Sequence, residues 1–100
     1  MIIDIKQTAE EVLVKMTGSL DTLASEQSEQ QVVEIEAMAD KPIAIDCIDL
    51  DYIASSGLRL LLRIRKAAAA KGNKVILIGV NDNIMEVLRV THFDKMFDLQ

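Results

Sequence analysis

Runs of apolar residues, and their alternation with polar ones, predict the strands of this 100-residue chain. Residues 2–6 alternate weakly and residues 12–17 more clearly, with a high β-branched content, so these two segments favour a β-hairpin. Residues 43–48 are almost continuously apolar, which is typical of a central strand buried on both faces. Residues 75–78 predict another short buried strand, and a last short strand is expected at about residues 96–99.

Three segments between these strands predict helices. Residues 22–39 are polar along one side, with their apolar residues at Leu23, Val32, Val33, Ile35 and Met38. This helix could be capped by Asp21, Thr22 or Ser25. The second helix follows the central strand and ends near residue 71, where a basic turn is followed by Gly72. The third begins at Asn81-Asp82-Asn83 and carries apolar residues from Ile84 to Leu88.

The order of elements is therefore β-β-α-β-α-β-α-β, which specifies a single α/β domain over residues 1–100. The opening hairpin requires an antiparallel pair, whereas each strand–helix–strand crossover requires parallel neighbours. We therefore expect a mixed β-sheet with the helices mainly on one face.

Composition narrows the classes of partner. The chain has 16 acidic and 11 basic residues and a net charge of −5, which argues against nucleic acid or an anionic membrane as the main partner. No apolar run approaches the ~20 residues that span a bilayer, and no secretory signal is expected at the N-terminus. The single cysteine, Cys47, lies in the central apolar run and indicates a core residue of a reducing, cytoplasmic protein.

The segment Ile53-Ala54-Ser55-Ser56-Gly57-Leu58 is the hinge that joins the central strand region to the second helix, and it is the strongest candidate for function. The simplest interpretation is that Ser55 or Ser56 caps this helix. A second interpretation is a site for a phosphate carried on a serine. Two serines stand where a cap needs one, Gly57 gives room for a large group, and a helix start stabilises an anion.

The second helix has a core side and a basic side. At 100° per residue its core side consists of Leu60, Leu61, Ile64 and Ala68, and its basic side consists of Arg59, Arg63 and Lys66. Leu58 and Leu62 lie between the two sides and could either complete the core or contact a partner. Residues 59–74 carry six basic and no acidic side chains, which indicates a solvated face or a partner-facing strip.

Other polar residues give no indication of catalysis or metal binding. His92 is the only histidine and has no second ligand at a metal-binding spacing, and Ser55 has no recognisable base. Asp49 and Asp51 are expected to solvate the loop before the hinge, and Asp46 is expected near the hinge glycine. The chain is therefore expected to be a non-enzymatic domain without metal or cofactor.

Four motifs in order along the chain give it a resemblance to the STAS domain, the family of bacterial anti-sigma factor antagonists. They are Gly18-Ser19-Leu20-Asp21, Ile45-Asp46, Ser55-Ser56-Gly57-Leu58 and the segment from Val87 to Phe97. The resemblance extends over nearly the whole chain. It implies a protein that binds an anti-sigma factor which is also a serine kinase, and so regulates transcription. We expect the acidic chain to be a monomer when free.

The resemblance also implies roles for individual residues. Ser55 would be phosphorylated by the kinase, which ends the binding, and a metal-dependent serine phosphatase would reset it. Ser56 would be its hydrogen-bonding neighbour, and the partner-binding residues would be Asp21, Ser56, Gly57, Leu58, Arg59 and Leu62.

The chain departs from the family pattern in two places. Ala54 stands where the family commonly has an aspartate, and the family usually has one more helix after its last strand, whereas this chain stops at Gln100. The domain is then minimal, or a partner supplies that packing. The alternative function that the resemblance implies is a small soluble STAS subunit that binds the ATPase of an ABC-type lipid transport complex, with no phosphorylation cycle.

Overall fold

The opening hairpin is present in the structure, a computed structural model that describes residues 1–100. Strand β1 (Ile2–Gln7) pairs antiparallel with β2 (Val12–Leu20). Strand β2 is longer than predicted because Gly18, at φ +104°, continues the strand through an irregular position instead of ending it. This extension matters for function, since the end of β2 lies beside the hinge.

The rest of the sheet is parallel. Strand β3 (Ile43–Asp46) lies between β2 and β5 (Val75–Ile78), and β6 (Asp98–Leu99) pairs with the far side of β5. The resulting order is β1-β2-β3-β5-β6, a mixed sheet in a single α/β domain, as predicted. No helix is long and apolar enough to cross a bilayer.

One strand was not predicted. Strand β4 (Leu50–Ile53) pairs in parallel with the extended end of β2, where a loop solvated by Asp49 and Asp51 was expected. The predicted central strand correspondingly stops at Asp46, whose carboxylate accepts a hydrogen bond from the Ile48 N–H at 3.0 Å and turns the chain.

The first predicted helix is divided into α1 (Thr22–Gln27) and α2 (Glu29–Ala37) at the buried Ser28. The division changes the helical phase. As a result Leu23, expected on the core side, is 61% exposed, and Val33 is also exposed, while Val32 and Ile35 are fully buried. The other helices are α3 (Ser55–Ala69) and α4 (Asp82–Val90), followed by a short 3₁₀ turn.

The helices cover one face of the sheet, as expected. Along β2, Val12, Val14 and Met16 are buried beneath them, whereas Leu13 on the other face is exposed. Strand β3 is nevertheless buried on both faces, as predicted for a central strand, because Ile43, Ala44 and Ile45 are all buried. Only Asp46, at its end on the open face, is partly buried. The predicted core side of α3 is confirmed, because Leu60, Leu61, Ile64 and Ala68 are all buried.

Candidate functional site

Helix α3 begins one residue earlier than a serine cap would allow. Its N-cap is Ala54, which has an extended conformation and no side chain that can accept a hydrogen bond. The Ala54 N–H donates to the Leu20 carbonyl at 2.9 Å and its carbonyl accepts from the Leu58 N–H at 3.0 Å. Because the strand pairing continues to Ala54, both serines fall inside the first helical turn. The prediction that Ser55 or Ser56 caps the helix is therefore wrong.

The two serines have different surroundings. Ser55, the first residue of α3, is exposed and its hydroxyl makes no hydrogen bond within the protein. Ser56 is partly buried, and its hydroxyl donates to the Ser25 hydroxyl at 3.2 Å. The buried Ser25 in turn donates to the Asp21 carbonyl at 2.7 Å. Ser56 therefore ties α3 to α1, and Ser55 is the serine whose oxygen is free to react.

Asp21 lies at the same edge of the sheet as the hinge. Leu20 and Ile53 are register partners at the ends of β2 and β4, so the residues that follow them, Asp21 and Ala54, are brought together. The Asp21 carboxylate accepts a hydrogen bond from the Ala24 N–H at 2.8 Å and caps α1. Its side chain stays exposed, so it can contribute a negative charge to a surface near Ser55.

Gly57 and Leu58 face inward. Leu58 is only 5% exposed and belongs to the main hydrophobic cluster, so it does not offer a side chain to a partner. Gly57 is also buried, and a Cβ at this position would lie 2.8 Å from Leu20 Cγ and 2.9 Å from Ile53 Cγ1. The predictions that Leu58 contacts a partner and that Gly57 gives room for a large group are therefore corrected. Gly57 is needed because α3 packs closely on the ends of β2 and β4, and not as space for an incoming group.

Replacing Gly57 by alanine tests this packing role. Overpacking of a core costs about 1–3 kcal/mol, and alanine recovers part of this because it is the better helix former by about 1 kcal/mol. We expect a net loss of up to about 2 kcal/mol in the free energy of unfolding, measured by urea denaturation. A variant as stable as the parent would show that Leu20 and Ile53 can move aside freely.

Arg59 and Leu62 remain on the surface side of α3, Arg59 exposed and Leu62 half-buried. On the basic side of this helix, Arg63 is neutralised within the domain. Arg63 forms ion pairs with Glu29 and with Glu36, the latter at 2.6 Å, and these hydrogen bonds raise the pKa of its guanidinium. Arg59 has no such partner, so it is the arginine nearest the hinge that is available to another molecule.

Two exposed apolar side chains near the hinge were not recognised in the sequence as surface residues. Leu23 lies in the first turn of α1, and Tyr52 projects from β4 with 54% of its surface exposed. Tyr52 was missed because β4 itself was not predicted, although its position directly after Asp51 is a surface signal that could have been used. Both residues extend the candidate surface beyond α3.

Asp46 and Cys47 do not take part in this site. Asp46 forms an ion pair with Lys15 at 3.7 Å on the open face of the sheet, so the expectation that it lies near the hinge glycine is wrong. Cys47 is a free, buried core cysteine as predicted, and burial raises the pKa of its thiol to about 12. No group of three or more potential ligands that could hold a metal ion is present.

Several known proteins resemble this chain in sequence and in fold. The family model of the STAS domain matches residues 3–100, and the chain therefore belongs to the STAS domain family. BtrV of Bordetella bronchiseptica, a candidate anti-sigma factor antagonist, is 30% identical over 76 residues, which are 73% of this chain and 66% of BtrV. The match thus spans just under two thirds of that relative's length. MlaB of Escherichia coli, the binding protein of an intermembrane phospholipid transport system, is 31% identical over 78 residues, 74% of this chain and 80% of MlaB.

Solved structures agree with the fold. A candidate anti-sigma factor antagonist from Thermotoga maritima superposes with a TM-score of 0.85 at 19% identity, over 97% of this chain and 84% of that one. The unphosphorylated anti-sigma factor antagonist SpoIIAA gives 0.76 at 21% identity, over 99% of this chain and 87% of that one. STAS domains of this kind are non-enzymatic binding proteins, so the expectation that the chain is not an enzyme is confirmed.

Proposed function

We propose that this domain is an anti-sigma factor antagonist: a cytoplasmic protein, monomeric when free, that binds an anti-sigma factor serine kinase and thereby regulates transcription. The observation that carries the proposal is the free, exposed hydroxyl of Ser55 at the first position of α3, within a STAS domain. The binding surface consists of residues around it, namely Asp21, Leu23, Ser56, Arg59 and Leu62.

Phosphorylation of Ser55 would act on this surface as a switch. The kinase transfers the γ-phosphoryl group of ATP to the Ser55 Oγ, which loses its proton, and ADP leaves. The phosphoserine carries a charge of about −1.5 to −2, placed next to the exposed carboxylate of Asp21. Partner carboxylates that approach Ser55 are then repelled, and the new charge must be desolvated in the complex, so the complex dissociates. A metal-dependent serine phosphatase resets the domain.

The site of phosphorylation is tested with two serine variants. With the cognate anti-sigma kinase and ATP, we expect Ser55→Ala to abolish incorporation of phosphate, since the only free hydroxyl of the pair is lost. Ser56→Ala is the matched control, and we expect it to be labelled at Ser55, although its link to Ser25 is broken. The phosphorylated residue is located by fragmentation of the domain in the mass spectrometer. Labelling of Ser55→Ala at the parent's rate would refute the assignment.

A second function is supported by Ala54 and by the MlaB relationship. Ala54 provides no carboxylate beside Ser55, and MlaB is matched at the same level of identity as BtrV over more of its own length. In this case the same surface binds the ATPase of an ABC-type lipid transport complex, without phosphorylation. Calorimetric titration of the domain with the anti-sigma kinase and, separately, with the transport ATPase of the same organism distinguishes the two. The partner that binds with micromolar or better affinity identifies the function.

A further inference from the structure

A second surface, on the side of the hinge away from α1, has the features of a docking site. A groove of about 280 Å³ runs between β4 and α4 and is lined by Asp51, Tyr52, Ile53, Asn83, Ile84 and Val87. Along α4 the residues Asn83, Val87 and Val90 follow one another at helical spacing, and Val90 is 71% exposed. Tyr52 forms the opposite wall and is itself more than half exposed.

The groove is held in shape by hydrogen bonds. Asn81 caps α4 by accepting from the Ile84 N–H at 2.8 Å, and its side-chain amide donates to the Leu50 and Asp51 carbonyls at 3.2 and 3.3 Å. One side chain thus fixes the start of α4 against the outer edge of β4. The groove is therefore formed before a ligand binds, which lowers the entropic cost of binding.

The charged residues at the rim of the groove are all acidic. The two segments that build it, residues 49–53 and 81–88, contain Asp49, Asp51, Asp82 and Glu86 and no lysine or arginine. Of these, Asp49 is paired with Lys15 and Glu86 with Arg89. Asp51 and Asp82 are exposed and have no ion-pair partner, so they leave a net negative charge above an apolar floor.

We propose that this groove binds a basic amphipathic helix of a protein partner. The apolar side of such a helix would pack on Tyr52 and Val87, and its lysine or arginine side chains would face Asp51 and Asp82. Because β4 ends at Ile53, two residues before Ser55, the same partner can occupy the groove and the hinge surface. The inference rests on the proposed function for its choice of a protein as the occupant, and it assigns to that protein a second, constitutive contact.

Tyr52 makes the test specific. It is the only tyrosine and the chain has no tryptophan, so tyrosine fluorescence reports on this groove alone. The probe is an amidated peptide of about 18 leucine and lysine residues at helical spacing, without aromatic residues. We expect a saturable change in Tyr52 emission that is weakened by added salt, and no change with a peptide in which glutamate replaces lysine.

Matched charge variants separate docking from non-specific attraction to an acidic protein. Asp51→Asn/Asp82→Asn removes two rim charges, and Glu10→Gln/Glu34→Gln removes two exposed charges elsewhere. We expect about fivefold weaker peptide binding for the first pair and less than twofold for the second. Equal weakening by both pairs, equal binding of the glutamate peptide or an unchanged Tyr52 signal would overturn the proposal.

The same variants are then titrated with the partner identified by calorimetry. If the rim pair weakens that complex severalfold and the control pair does not, the groove is part of the interface. If the partner binds and is released by phosphorylation of Ser55 as proposed, but binds the Asp51→Asn/Asp82→Asn variant with unchanged affinity, the groove proposal fails and the proposed function stands. If neither the kinase nor the ATPase binds while the lysine peptide still occupies the groove, the proposed function fails and the groove proposal stands.

Discussion

Leu58→Ala is expected to lower the free energy of unfolding by about 2–5 kcal/mol, the range for truncation of a buried leucine. Leu58 is 5% exposed and packs within the main core, so its truncation removes apolar contacts and leaves a cavity. A domain of this size is stable by only about 5–15 kcal/mol, so this loss is a large fraction of the total. Urea denaturation followed by circular dichroism measures it.

Leu62→Ala is the matched control, since it makes the same truncation one helical turn further along α3. Leu62 is half-buried, and we expect it to lose only about 1 kcal/mol of stability. For partner binding the order reverses. Measured at a temperature where both variants are folded, we expect Leu62→Ala to weaken the complex and Leu58→Ala to leave it unchanged. A stable Leu58→Ala variant that fails to bind would show that Leu58 does contact the partner.

The ambiguity of Leu58 illustrates what a helical projection can resolve. The sequence placed Leu60, Leu61, Ile64 and Ala68 correctly in the core, because they lie at the centre of a wide apolar side. Leu58 lies at the edge of that side, and its burial is decided by how the first turn of α3 sits on β2 and β4. That placement depends on the strand pairing of Leu20 with Ile53, which is not encoded in the helix itself.

The parts of the fold that were predicted follow from local periodicity and from the rules for connecting strands. The hairpin, the parallel crossovers and the position of the helices on one face are of this kind. Strand β4 was missed because it is only four residues long, with Leu50 and Ile53 buried at its ends and two exposed residues between them. This pattern has neither the alternation of a half-buried strand nor the length of a buried one.

The residues at which the helices begin were predicted less well, because tertiary contacts decide which of several candidate residues caps a helix. Asp21 and Asn81 act as caps as the sequence suggested, with carboxylate or amide oxygens bonded three residues ahead. At α3 the strand pairing of Ala54 moved the cap to a residue with no polar side chain. The family resemblance proposed Ser55 as the switch, and the hydrogen bond of Ser56 to Ser25 now supports that choice by a physical distinction between the two hydroxyls.

Ser55→Asp is expected to weaken binding of the partner by about 1–3 kcal/mol, or roughly 5- to 150-fold, through the charge it introduces at a packed surface. It should not weaken the domain itself. An acidic residue in the first turn of a helix is stabilising by about 0.3–1 kcal/mol, because it interacts favourably with the helix dipole, and Ser55 has no hydrogen bond to lose. This gain offsets the repulsion from the exposed Asp21 carboxylate. Lost affinity therefore cannot be attributed to unfolding.

Ser55→Asn is the matched control, since it has nearly the same shape without the charge. Calorimetric titration of the parent and both variants with the partner, with urea denaturation in parallel, separates charge from size. We expect Asn to retain affinity within about threefold and Asp to lose it without losing stability. Equal loss in both variants would mean that the partner packs tightly on the Ser55 side chain and that bulk, rather than charge, releases it. Unchanged affinity in Ser55→Asp would remove the phosphorylation switch.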